Sequence, residues 1–328
     1  MSSITGHSAV EQPPGPSGGS TRGRRRLGDT LFAGAAGASG LIVIAIVALT
    51  AIFLATRAIP SLLDDKVDFL TSTQWQAEPG DLRFGILQIL WTTVSISLIA
   101  MIIAIPVGVC VALFLTQYAP RWLARPAAGV IDLLAAIPSI VYGLWGIQTF
   151  APHVTGLQNW LNDVLGSTWL FTGPVSTGTV FIAGIVLSIM VLPIITALSR
   201  EVFAQTPAAN KEGALALGAT KWEMIRTAVL PFGRAGVVSA AMLGLGRALG
   251  ETIAITIIVS SVSSGTDFFL SVLQGGETFA SKIANNAAEF NNPESTGAYI
   301  AAGLVLFILT FVVNAIARVI VNRRKAFS

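Results

Sequence analysis

The sequence predicts an all-α fold, a polytopic bundle of six transmembrane helices. Only 11% of its 328 residues are charged, whereas an ordinary soluble domain has about 25%, and its mean hydropathy is +0.73. Six apolar stretches reach the roughly 20 residues that a helix needs to cross about 30 Å of hydrocarbon. So few charges cannot cover a surface that faces water on all sides, and apolar runs of this length are typical of helices rather than of barrel strands.

The predicted spans follow one another along the chain at 31–56, 86–116, 127–151, 179–199, 236–262 and 298–320. The polar segment 1–30 is rich in Pro, Gly and Arg, which is typical of a disordered basic tail. The first span is too long for the apolar part of a signal peptide and follows no convincing cleavage site. We therefore expect it to be a retained anchor.

The distribution of basic residues predicts the orientation of the chain. If the six spans alternate, fifteen Lys and Arg side chains lie on the side of the two termini and four on the opposite side. Acidic residues show the opposite bias, with five and ten. Because Lys and Arg are enriched in cytoplasmic loops, we expect both termini in the cytoplasm. The basic residues then require no nucleic-acid partner.

Three spans contain a proline, and the third also contains an acidic residue. Pro106, Pro138 and Pro193 each remove a helical hydrogen bond and can kink their helix. Such kinks suit rigid bodies that rock between two states, or they only shape the packing. Asp132 lies near the cytoplasmic end of the third span. It would pair with a base on a neighbouring helix, gate an inner vestibule with Pro138, or simply be solvated at the interface.

The cytoplasmic segment 200–235 is long for a simple turn. Pro207 can begin a short helix, Gly218 can end it, and a second short helix can run from Lys221 to about Val229, before Pro231. Two short helices at a sharp angle, with small residues and a glycine at the corner, suit insertion into a groove on another protein.

Six residues of this segment also carry a family resemblance: Glu212, Gly213, Ala214, Gly218, Leu230 and Pro231. The pattern resembles the loop between the fourth and fifth spans in the membrane subunits of bacterial ABC importers. In that family the loop is the coupling helix that docks onto the ATPase subunit, so the resemblance implies the same role here. Two positions depart from the family pattern, because Gly213 replaces an Ala and Ala228 stands where an Ile is common.

Two charged residues lie within the fifth span. Arg247 and Glu251 are four residues apart, so a continuous helix would place them on one face and near mid-bilayer. A charge at that depth costs about 2.5 to 3.5 kcal/mol on insertion scales, so both must face protein or a pathway. Arg247 would attract an oxyanion while Glu251 holds its guanidinium, or the two would form a structural ion pair. The spacing of Gly246 and Gly250 predicts a close helix contact beside them.

Two stretches, 132–146 and 243–252, resemble the PstC-type permease subunit of phosphate-specific ABC importers, and the similarity extends from about residue 28 to 325. Asp132 stands where that subunit commonly has a Glu. The resemblance implies a permease domain over 31–325, a second permease subunit of the PstA type, a pair of PstB-type ATPases and an external PstS-type phosphate-binding protein.

The outer segment Thr278–Phe290 has apolar residues near helical spacing. We expect a helix lying on the outer surface there. It either contacts the external binding protein or only packs over the bundle.

The sequence predicts a transport subunit rather than an enzyme. It has no Gly-x-x-x-x-Gly-Lys-Ser/Thr phosphate loop, so ATP hydrolysis would belong to a partner. Cys110, His7 and His153 cannot form a metal site alone, and we expect no cofactor.

The predicted function is import of inorganic phosphate across the bacterial cytoplasmic membrane. Three alternatives stay open: a permease for sulfate or molybdate, an ion-driven secondary transporter that uses Arg247 and Glu251 as a relay, and a phosphate-signalling membrane scaffold.

Overall fold

The computed structural model describes residues 27–262 and 265–325. The helices are α1 (Leu27–Leu63), α2 (Leu87–Leu113), α3 (Arg121–Ala135), α4 (Ser139–Trp145), α5 (Ala151–Leu165), α6 (Val180–Ala204), α7 (Ala208–Ala216), α8 (Lys221–Met224), α9 (Leu230–Leu249), α10 (Ile253–Ile258), α11 (Phe279–Asn285) and α12 (Pro293–Lys325). A hairpin pairs β1 (Trp75–Glu78) with β2 (Asp81–Phe84). Three π-helical turns, Phe114–Tyr118, Gly146–Phe150 and Ile225–Val229, continue α2, α4 and α8.

The chain forms two compact units, which divide between Thr50 and Ala51. The predicted disordered tail, residues 1–30, lies outside the described residues except for 27–30, which begin α1. In the first unit the described chain is helical and exposes large apolar side chains such as Ile42. The second unit contains all the remaining elements.

The predicted all-α polytopic fold is confirmed. Among the described residues, five helices are long and apolar enough to cross a membrane: Leu31–Leu63, Leu87–Tyr118, Val180–Ala204, Lys221–Leu249 and Pro293–Val319. A sixth candidate is the pair Arg121–Ala135 and Ser139–Leu165, whose two parts bend by 90°.

The third predicted span, 127–151, is not one continuous helix. α3 ends at Ala135 and Pro138 occupies the N-cap position of α4, with φ −59° and ψ 140°. Proline has no N–H for the preceding turn, and it disfavours the α conformation of the residue before it. The two effects break the span rather than merely kinking it. Pro106 and Pro193, by contrast, lie inside the continuous helices α2 and α6.

The fifth predicted span, 236–262, is also interrupted. α9 ends at Leu249 and α10 begins at Ile253. Gly250 is a weak helix former. The carboxylate of Glu251 accepts a hydrogen bond from the backbone N–H of Ala254 at 3.3 Å, and such local side-chain bonds compete with helix continuation.

The core of the second unit lies where α2, α6 and α9 meet. Its buried side chains include Ile96, Leu187, Met190 and Ile195. Glycines allow this close approach: a Cβ on Gly184 would lie 2.6 Å from Ile99, and one on Gly244 would lie 2.7 Å from Val191. Larger residues at these two positions would force the helices apart.

The β-hairpin forms an ordered cap beside the first turns of α12. Trp75 pairs with Phe84 in the strand register, and Gly80 makes the turn with φ +77°. The ring of Trp75 lies 5.9 Å from that of Phe84 and 5.4 Å from that of Tyr299 in α12. These aromatic contacts hold the hairpin against the helix.

Candidate functional site

The segment between α6 and α9 turns at Gly218, as the sequence predicts. α7 ends at Ala216, and Gly218 adopts φ +85°, a left-handed conformation that ordinary L-residues rarely take. Thr220 then caps α8 in a reciprocal capping box with Glu223. The second helix does not stop before Pro231, because a π-helical turn joins α8 to α9 and Pro231 follows directly after that turn.

One side of this segment, here termed the α7 corner (208–231), is anchored and the other is exposed. Ala214 and Leu230 pack against a buried cluster, here termed the junction cluster, which consists of Ala112, Leu113, Phe203, Met224, Ile225 and Val229. Glu212 and Gly213 are exposed. Leu217 is 91% exposed, and Leu215 and Trp222 are also largely exposed. α7 itself has no buried residue. The α7 corner therefore combines an anchored base with an exposed apolar surface.

Arg247 and Glu251 do not share a helix face, and that prediction is wrong. Arg247 lies in the last turn of α9, whereas Glu251 lies in the interruption before α10. Glu251 is only 8% exposed. Within residues 27–262 and 265–325 the two side chains form no ion pair. The Nε of Arg247 is buried and has no hydrogen-bond partner in the part of the chain that the structure describes.

The predicted close contact at Gly246 and Gly250 is also absent from the described residues. A Cβ on Gly246 would meet no atom within 4 Å, and one on Gly250 would meet only the carbonyl of Gly246 at 3.6 Å. The close approach in α9 occurs instead at Gly244, and at Gly233, where a Cβ would lie 2.5 Å from the ring of Phe203. Among the described residues, the face of α9 that carries Gly246 is therefore open.

The two interrupted helices pack side by side. A Cβ on Gly143 in α4 would lie 3.0 Å from the Cα of Ala254 in α10. The hydroxyl of Tyr142 donates a hydrogen bond to the carbonyl of Leu134 at 3.0 Å, which links α4 back to α3. Arg247 lies within electrostatic range of Tyr142. Discontinuous helices that pack together near charged groups are typical of transporter substrate pathways.

Asp132 pairs with a base on a neighbouring helix. Its carboxylate lies 3.5 Å from Nη2 of Arg200 in α6. Both side chains are partly exposed, and Nη1 of Arg200 is buried without a hydrogen-bond partner among the described residues. The pair connects α6 to α3, the helix that precedes the 90° break. Pro138 lies at that break.

The outer segment Thr278–Phe290 is helical only in part. Thr278 and Ser281 form a capping box at the start of α11, and the helix ends before Asn286. A 3₁₀ turn follows. Glu289 accepts hydrogen bonds from Tyr299 and Asn286, and the bond from Tyr299 is the main reason that the pKa of Glu289 lies below its ordinary value.

The sequence reasoning did not find the pairing of Glu277 with Lys282. Their charged groups lie 2.8 Å apart, and the side chains are only 15% and 14% exposed. The Lys282 ammonium also lies 5.5 Å from the centre of the Trp75 ring. A spacing of five residues across a helix start gives no periodic signal, so only the fold brings these groups together.

Comparison with known proteins identifies close relatives. Residues 104–326 match the family described as "Binding-protein-dependent transport system inner membrane component". The "Phosphate transport system permease protein PstC 2" of Mycobacterium tuberculosis is 52% identical over 300 residues, covering 90% of this chain and 92% of the relative. The "Phosphate transport system permease protein PstC" of Xylella fastidiosa strain 9a5c is 43% identical over 263 residues, covering 78% of this chain and 79% of the relative.

Two solved structures share the fold at low sequence identity. The inward-facing MetNI methionine ABC transporter in its CY5 native crystal form matches with a TM-score of 0.54 and 16% identity, covering 73% of this chain and 95% of that one. A bacterial ABC transporter involved in the import of alginate matches with a TM-score of 0.54 and 15% identity, covering 86% and 94%. With the family match over most of the chain, these findings show that the chain belongs to the family of binding-protein-dependent transport system inner membrane components.

Proposed function

We propose that this chain is a permease subunit of an ATP-driven importer of inorganic phosphate. The observation that carries the proposal is the 52% identity over 300 residues to a mycobacterial protein named as a phosphate transport permease. The matched region covers 90% of this chain and 92% of the relative. The Lys and Arg distribution supports an orientation with both termini in the cytoplasm.

The α7 corner would dock the ATPase. Its exposed apolar side chains, Leu215, Leu217 and Trp222, form a patch that is typical of an interaction surface. Its base in the junction cluster connects it directly to α6 and α9. Movement of a pair of PstB-type ATPase subunits would thus reach the membrane helices through packed side chains. Glu212, Gly213, Gly218 and Pro231 would shape this contact.

Arg247 would contact phosphate as it passes. Its guanidinium forms no ion pair with Glu251, and its Nε–H is a donor without a partner among the described residues. A planar fork of donors matches the oxygens of phosphate. Glu251 would act by holding the start of α10 in place, so the structural ion pair between these two residues loses its support. Asp132 and Pro138 would set the angle of the α3–α4 break beside this path.

The outer cap would receive a PstS-type binding protein. Lys282 is engaged with Glu277 and largely buried, so it offers little to a partner. The exposed side of α11 instead carries Ala284 and Asn285. Ala284→Arg should therefore reduce stimulation of ATP hydrolysis by the loaded binding protein, while basal hydrolysis persists. Unchanged stimulation would mean that α11 only packs over the bundle and does not contact the binding protein.

Uptake measurements test the substrate. Cells that lack this gene should lose uptake of labelled phosphate. Uptake should return when the gene is expressed together with a PstA-type second permease. Excess sulfate or molybdate should not compete. Competition by sulfate at equal concentration would instead favour a permease for a different oxyanion, and uptake without any associated ATPase would contradict the ABC importer itself.

A further inference from the structure

A cavity of about 550 Å³ lies where α1 ends and α12 begins. Its walls include Phe53, Arg57 and Asp64 from α1 and the residue after it, and Glu294 and Ile300 from α12. The two helix ends are held together closely: Ser61 Oγ donates a hydrogen bond to the carbonyl of Glu294 at 3.0 Å. Both helices are among those long and apolar enough to span the membrane, so we expect the cavity at one membrane–water interface.

The cavity contains an unpaired base and an unpaired acid. Arg57 and Asp64 are seven residues apart, and Asp64, the first residue after α1, still donates its backbone N–H to the carbonyl of Pro60, so it lies about 10 Å beyond Arg57 along the helix axis. Among the described residues neither forms an ion pair. The Arg57 guanidinium lies 5.9 Å from the centre of the Phe53 ring, which is itself largely exposed. Both charges are thus available to a ligand.

The order of these groups along α1 follows the order of groups in a phospholipid. Phe53 and Ile300 lie toward the hydrocarbon, Arg57 comes next about one turn further out, and Asp64 lies outermost, beyond the last residue of the helix. A phospholipid presents acyl chains, then a phosphate, then its headgroup substituent. A lipid seated here would therefore place its phosphate against Arg57 and its headgroup end against Asp64.

The charges also select the kind of headgroup. Glu294 adds a second carboxylate to the cavity, and one of its oxygens accepts a hydrogen bond from the backbone of Gly80. One base beside two acids disfavours an anionic lipid and favours a headgroup with a positive end. An ammonium with N–H donors satisfies a carboxylate better than a quaternary ammonium does.

We propose that this cavity binds a phosphatidylethanolamine-type phospholipid, with its phosphate on Arg57 and its ammonium on Asp64. The bound lipid would fix the outer end of α1 against α12 and the hairpin. The site is separate from the phosphate pathway and does not depend on the function proposed above.

Native mass spectrometry of the full chain, purified with its accompanying subunits and stripped of lipid, tests this site. Titration with phosphatidylethanolamine, phosphatidylcholine and phosphatidylglycerol of matched acyl chains should show a preference of about fivefold for the first. Asp64→Asn should remove that preference, and Arg57→Gln should weaken binding of all three. Asp267→Asn is the matched control, because Asp267 is exposed and does not line the cavity; it should leave the preference unchanged.

Two outcomes would overturn the proposal. Equal binding of the three lipids, or a preference that survives Asp64→Asn, would mean that the cavity does not recognise the ammonium. Soluble phosphoethanolamine distinguishes a lipid from a free small molecule: it should not displace the lipid, because it lacks the chains that contact Phe53 and Ile300. Displacement at equal concentration would assign the site to a soluble ligand instead.

Discussion

Gly218 should control how well the ATPase docks, through its backbone conformation alone. At φ +85° it lies in the left-handed region, which costs an ordinary L-residue about 1–2 kcal/mol. A Cβ there would meet no atom within 4 Å, so Gly218→Ala adds no clash and the whole cost is local. If docking requires this corner, 1–2 kcal/mol lowers ATPase affinity by about 5- to 30-fold. Gly218→Asn should lie in between, because Asn tolerates this region better.

The same loop provides a control of opposite sign. Gly213 also has open space around it but lies inside α7 with a helical backbone, so Gly213→Ala removes a glycine penalty of about 1 kcal/mol. Surface plasmon resonance, with the permease in nanodiscs and the purified ATPase in solution, measures both variants. We expect Gly213→Ala to bind at least as tightly as the wild type. Wild-type affinity of Gly218→Ala, or an equal loss in both variants, would refute the reasoning.

Three further predictions concern charged groups. Arg247→Lys keeps the charge but loses the bidentate fork; phosphate flux per assembled complex should fall about tenfold, and normal flux with poor assembly would contradict a substrate role. Breaking the Asp132–Arg200 pair should cost only about 0.2–1 kcal/mol, because both groups are partly exposed, and a double-mutant cycle of thermal unfolding measures it. The pKa of Glu289 is lowered mainly by Tyr299, so its stabilising contribution is present above its ordinary value of 4.5 and is lost as pH falls through the folded pKa; Glu289→Gln should flatten the acid side of the melting-temperature profile.

The spans were predictable because hydrophobicity acts over about twenty residues, whereas their interruptions depend on single side chains. Pro138 could be recognised as a helix breaker. The 90° bend of the span, however, also depends on the packing of α4 against α10. The interruption at Gly250 had a weaker signal, a glycine followed by Glu251 and Thr252. Reading the fifth span as unbroken placed Arg247 and Glu251 on one face, and that error followed directly from the apolar composition around them.

The α7 corner was the most predictable part of the candidate site. Its conformation is determined locally, by a glycine that ends one helix and a Thr220–Glu223 capping box that begins the next. The prediction that Gly218 ends the first helix is confirmed. Long-range pairs were not predictable in this way. Asp132 could have met any of several bases, and only the packing of α3 against α6 selects Arg200.

The π-helical turn Ile225–Val229 makes this point of the chain tolerant of the loss of one residue. Such a turn holds one residue more than an α-helix would over the same rise. Each residue of an α-helix turns the chain by about 100° and advances it by 1.5 Å. Removing one residue here would convert the turn into a regular α-helix of nearly the same rise, so α8 and the chain before it would keep nearly the same orientation relative to α9. Removing one residue from a regular part of α9 would instead rotate the preceding helix by about 100° and take Ala214 out of the junction cluster.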